Sequence, residues 1–140
     1  MLSVKYFSVV IISILYLCPQ TIYALNQYPF PERHQICLKY DGDSGEVKGY
    51  LRIDNPGENI WLIQSWVEDE KHNRYSIIYP PLTRIEKKSS VALKFYSEKY
   101  SGDLKWAIIK IIPSIKKKEG NKLTIPVIYR LRICNKNINH

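Results

Sequence analysis

No stretch of this sequence carries the three-to-four residue apolar spacing of an amphipathic helix, and there is no internal repeat, low-complexity tract or linker. Those absences set aside helical bundles, solenoids and multi-part chains. Histidine is scarce: His34, His72 and His140 lie far apart, and none is spaced with another histidine or a cysteine as a metal pair. There is no G-x-S-x-G, no phosphate loop and no paired-carboxylate signature, so the sequence offers no catalytic residues, no metal site, no cofactor and no small-molecule substrate. Asp41-Gly42-Asp43-Ser44-Gly45-Glu46 has the flavour of a calcium loop, but it lacks the fifth-position acid, and Arg52 stands where the bidentate glutamate belongs; it reads as a hairpin turn. Acidic residues are also few, 13 against 21 Lys and Arg, for a formal net charge of +8. Part of the excess is Lys116–Lys118, in what reads as a solvated turn rather than a nucleic-acid patch. A basic surface of this kind can steer an acidic or carboxylate-bearing protein partner.

What the chain does have begins at its start. Met1–Lys5 is short and basic, Tyr6–Leu17 is almost unbroken apolar sequence, and Pro19, Gln20 and Thr21 break it before the small Ala24. This is the layout of a secretory signal over residues 1–24, leaving a single domain over 25–140. The apolar run falls short of the ~20 residues of a comfortable membrane span, with an uncleaved anchor as the alternative. Export places the mature chain in the periplasm and argues against a nucleic-acid partner. It also gives the two remaining cysteines, Cys37 and Cys134, a first reading as a disulfide that ties the first strand to the last.

Strand signals dominate the rest. Glu46–Ile53 alternates Val47, Gly49, Leu51 and Ile53 against Lys48, Tyr50 and Arg52, and Asn55-Pro56-Gly57 ends it with turn chemistry. Ile60–Val67 is apolar on both faces at its start and reads as a central strand, with Trp66 expected in the core. Asp69–Asn73 is a charged turn, and Tyr75–Ile78 a short strand that must stop before Pro80-Pro81. Val91, Leu93 and Phe95 alternate again, Leu104–Ile112 is a further apolar run, and Ser114–Asn121 is a basic connection. Leu123–Cys134 is the longest strand candidate, with Leu123, Ile125, Val127, Tyr129, Leu131 and Ile133 on one face. About seven short strands separated by turns predict an all-β, immunoglobulin-like sandwich.

Three stretches together resemble the N-terminal domain of the PapD-like periplasmic pilus chaperones. Leu62-Ile63-Gln64-Ser65-Trp66-Val67-Glu68-Asp69 is similar to the family's third-strand signature. Tyr79-Pro80-Pro81-Leu82-Thr83-Arg84-Ile85-Glu86 follows its diproline-x-x-arginine-x-glutamate turn, where Arg84 and Glu86 can pair. Ile111-Ile112-Pro113, followed by Asn121-Lys122-Leu123-Thr124-Ile125, matches the sixth strand, its proline exit and the start of the seventh. The resemblance runs from about Gln35 to Cys134, the first of the family's two domains; the sequence stops at His140, where the second begins.

The resemblance implies a non-enzymatic protein that binds pilus or fimbrial subunits by lending them its last strand. Leu123, Ile125, Val127 and Tyr129 would then be the donor side chains, although periodicity alone equally allows them to face this chain's own core. Pro126 among them suits an edge strand. The family also anchors the subunit's terminal carboxylate with one basic residue on the last strand and one on the first. Arg132 falls at the last-strand position; the first-strand position holds Cys37, and Arg33 lies nearby but out of register. An outer-membrane usher is a further partner that the family implies. The rival reading is a structural or interaction domain of a fimbrial system, its last strand covered by this chain or by self-association with a second copy.

Overall fold

The computed structural model of the chain describes residues 28–98, 103–114 and 125–137. The expected secretory signal over 1–24, Lys116–Lys118 and Leu123 lie outside the described residues.

Ten strands follow one another: β1 (Phe30–Pro31), β2 (Gln35–Tyr40), β3 (Val47–Asn55), β4 (Trp61–Asp69), β5 (Arg74–Tyr75), β6 (Ile78–Tyr79), β7 (Leu82–Ile85), β8 (Ser89–Ser97), β9 (Leu104–Pro113) and β10 (Val127–Asn137). Three of these are only two residues long and seven are longer; the expected Tyr75–Ile78 strand is split into β5, which pairs with β4, and β6, which pairs with β8, while β7 forms in the stretch read as the diproline turn. They form one continuous curled sheet in the order β5-β4-β9-β10-β2-β3-β8-β6, with β1 on β3 and β7 on β4. Its two halves face each other across the core, and β2 joins them. That strand runs parallel to β10 from Arg132↔Gln35 to Asn137↔Tyr40, and its last two residues pair antiparallel with β3. The fold is the immunoglobulin-like sandwich the strand rhythm predicts.

Alternation decides the two faces. Ile36 and Leu38 of β2, Leu51 and Ile53 of β3, Leu93 and Phe95 of β8, Ile109 and Ile111 of β9, and Leu131 and Ile133 of β10 all point inward and are buried. On β4 the inward set is Trp61, Ile63, Ser65 and Val67. Trp66 is therefore on the outer face and only half-buried, which corrects the expectation that it fills the core. Trp61, 6% exposed, takes that place and stacks against Tyr28 with ring centroids 4.8 Å apart.

Polar side chains fasten the turns to this core. Asn55, one of two buried polar residues in the described core, donates through Nδ2 to the carbonyls of Asn59 and Glu86, each at 2.8 Å, and accepts from the Gly57 N–H. Ser65 donates its N–H to the Pro81 carbonyl at 2.9 Å, stitching the diproline segment to β4. The Tyr79–Pro80 peptide bond is cis, and Arg84 pairs with Glu86 at 2.6 Å on the surface beyond it. The 41–46 turn has hairpin chemistry: Asp41 Oδ1 accepts from the Asp43 N–H, and Gly45 adopts φ 75°.

Cys37 and Cys134 are register partners in the β2–β10 ladder and are joined by a disulfide, with Cα atoms 4.4 Å apart. The bond closes a sequence separation of 97 residues, for which chain entropy gives about 4–5 kcal/mol. The C37S/C134S double variant is expected to lose about that much in urea unfolding against the oxidised parent.

Close packing is most demanding at Gly49. A Cβ there would overlap the Leu38 side chain and press on Phe95 Cβ at 3.3 Å. Gly49→Ala is expected to cost about 1–3 kcal/mol in the same measurement.

Candidate functional site: the open half of the last strand

β10 is paired differently along its two halves. On one side it runs antiparallel to β9 from Val127↔Ile111 to Arg132↔Trp106. On the other side β2 joins only at Arg132. The reason lies in the N-terminal chain: β1 pairs with β3 in the opposite half of the sheet, and the strand crosses over before Gln35. Among the described residues, the edge of β10 from Val127 to Leu131 thus has no strand beside it. Every second N–H and C=O along that stretch points to an unfilled ladder position.

The side chains along this edge grade from exposed to buried. Ile125 is 62% exposed and Ile128 56%, whereas Val127 and Tyr129 are half-buried against the core and Leu131 and Ile133 are fully inside. Burial pushes the Tyr129 phenol above its usual pKa. Pro126, just before the strand, has no N–H to offer. Of the donor candidates, Val127 and Tyr129 lie on the open edge and partly over the core, and Ile125 lies exposed two residues before β10; Leu123 lies outside the described residues.

Arg132 sits where the open edge ends, on the outer face of the sheet. Its guanidinium carbon lies 5.9 Å from the Trp106 ring centre, and that of Arg130 lies 4.4 Å from the same ring. Sequence reasoning singled out neither Arg130 nor Trp106. The two-residue spacing of Arg130 and Arg132 does signal a shared face, but the apolar run around Trp106 hides which way that ring points. Arg33, by contrast, stays outside β2 and pairs with Glu32 at 3.7 Å.

Across β9 from Arg132, the outer face carries a second cluster. Glu68 of β4 opposes Trp106 and accepts a 2.8 Å hydrogen bond from the Trp66 indole N–H. His72 approaches its other oxygen at 3.4 Å, and the Arg74 guanidinium lies 4.3 Å over the Trp66 ring. Beyond it, Asp69 accepts from the N–H groups of Lys71 and Asn73, the Asn73 amide and the Tyr75 hydroxyl, and Glu70 pairs with Lys105. The charged turn is thereby pinned to the sheet.

This is an immunoglobulin-like β-sandwich that leaves half of one strand edge open. A family model for the pili and flagellar-assembly chaperone, PapD N-terminal domain, matches residues 36–134, and the chain belongs to that family. It is 40% identical over 107 residues to Protein FasE of Escherichia coli, covering 76% of this chain and 80% of that protein. Among solved structures, that of the Salmonella enterica SafA pilin in complex with the SafB chaperone matches with a TM-score of 0.60 at 16% identity, over 79% of this chain and 54% of the other. The periplasmic chaperone SfaE matches with a TM-score of 0.57 at 18% identity, over 79% and 58%. The chain therefore spans a little over half the length of these structural relatives, and at such identities they establish the fold alone.

The Trp66 hydrogen bond is the largest influence holding the Glu68 carboxyl below its ordinary value of 4.5, with His72 adding to it against the opposing effect of burial. A carboxylate favoured by the fold contributes stability in full above its unfolded pKa and loses it as pH falls through the lower folded one. Glu68→Gln should thus be less stable than the parent at neutral pH, and the gap should close on acidification below the ordinary carboxylate range. Denaturant unfolding as a function of pH checks this.

Proposed function

We propose that this chain is exported to the periplasm and binds pilus or fimbrial subunits by strand addition through the open half of β10, assisting their assembly. The observation that carries the reading is the unpaired Val127–Leu131 edge beneath an exposed Ile125. A subunit that lacks a strand gains main-chain hydrogen bonds from this edge, and its pockets receive this chain's alternate side chains. Leu123, Ile125 and Val127 serve as the donors, with Tyr129 completing the series nearer the core. Arg132, at the end of the edge, anchors the subunit's terminal carboxylate by a charge-assisted hydrogen bond. The solved SafA–SafB complex pairs a pilin with a chaperone of the same fold, which supports a pilin as the partner here. An outer-membrane usher is a second partner on the same grounds.

The rival reading, a structural fimbrial domain, needs that edge covered. Among the described residues no strand of this chain covers it, so the rival rests on a second copy.

Co-expression with the pilin subunits of the same genome tests this. A soluble periplasmic complex is expected, abolished by Ile125→Asp, which would bury a charge in a pocket, and recovered about fivefold less with Arg132→Ala. If no subunit is retained while the chain stays folded and monomeric, the proposal fails. Pairing of the chain with a second copy through the same edge favours the rival.

A further inference from the structure

Resting on that reading of Arg132, we propose that the second cation of the carboxylate site is Arg130, on the same strand, and that Trp106 is the positioning residue for both. In the arrangement that the sequence resembles, the two basic groups come from different strands. Here the first-strand position is Cys37, whose sulfur is committed to Cys134, so no cation can come from that place. Arg33 is no substitute, since it lies outside β2 beside Glu32.

Arg130 and Arg132 are two residues apart on β10 and so share the outer face of the sheet. Arg132 stands opposite Trp106 in the β9–β10 ladder, and Arg130 is its diagonal neighbour. Both guanidinium groups therefore lie over one indole, 4.4 and 5.9 Å from its centre. Stacking on an aromatic face holds a planar guanidinium by cation–π attraction while leaving its edge N–H groups free to donate. It also removes side-chain freedom that a ligand would otherwise have to remove on binding.

The charge balance points the same way. Among the described residues, neither Arg130 nor Arg132 forms an ion pair or a side-chain hydrogen bond. The acid across the ring from them, Glu68, is engaged by Trp66, His72 and Arg74. Two cations stacked on one indole at the end of an open strand edge, neither in an ion pair although Arg130 is close enough for its charge to favour the Glu68 carboxylate, fit a carboxylate at the terminus of a chain laid along that edge. The disulfide lies one step further along the same face and fixes the far side of the site.

The test needs no subunit. The probe is N-acetyl-tetra-alanine with a free terminal carboxylate, titrated against its amide and read by the arginine Nε–H resonances of the oxidised chain. The free acid is expected to move the Arg130 and Arg132 signals together, and the amide to leave them in place. Arg130→Ala should weaken the response at Arg132 by about fivefold, the scale of one exposed charge contact. Trp106→Leu should weaken both without removing either charge, and Trp106→Tyr should restore most of the loss. An Arg132 response that is absent, shared by the amide, or indifferent to Arg130→Ala overturns the proposal. Subunit retention that needs Ile125 but not Arg130 overturns it too and leaves strand donation standing, whereas a working carboxylate fork in a chain that retains no subunit overturns strand donation instead.

Discussion

The feature on which the rest of the molecule depends is the late arrival of β2 beside β10. The N-terminal chain spends Phe30–Pro31 on β3 and only then crosses to the other half of the sheet. Backbone polar groups in a sandwich must be paired or wet, so the crossover divides β10 into a half locked between two neighbours and a half with one. The disulfide between Cys37 and Cys134 fastens the locked half at register partners. Closing the sandwich and leaving one edge open are consequences of the same strand path.

An open apolar edge is a hazard as well as a site. This one is moderated by turning Val127, Tyr129 and Leu131 progressively into the core, so that only its entrance, around Ile125 and Ile128, shows large apolar side chains to solvent. Pro126 removes one ladder donor at that entrance. The outer face beside it is aromatic and cationic, with Trp66 under Arg74 and Trp106 under Arg130 and Arg132. Hydrophobic surface on the edge and positive charge on the face are suited to different parts of one partner, the apolar side chains of a strand and the carboxylate at its end.

The sandwich was legible because β3, β8 and β10 alternate cleanly, and the turns at Asp41–Glu46, Asn55–Gly57 and Pro80-Pro81 carry chemistry that admits few other conformations. The cysteine pair was legible for a different reason: two such residues in a chain whose start reads as an export signal have one simple use. The orientation of Trp66 was not legible, because β4 is apolar on both faces and periodicity cannot say which parity is buried. Trp106 in β9 was hidden in the same way. The open edge itself lies beyond any local pattern, since it depends on where β2 begins relative to β10, a relation between segments about a hundred residues apart.

Hydrogen–deuterium exchange along β10 distinguishes an open edge from a covered one. Alternate amides between Val127 and Leu131 should exchange much faster than those between Arg132 and Asn137, where β2 closes the second side. Uniform protection along the whole strand would mean that the edge is covered, and the account of this protein as a strand donor would be wrong.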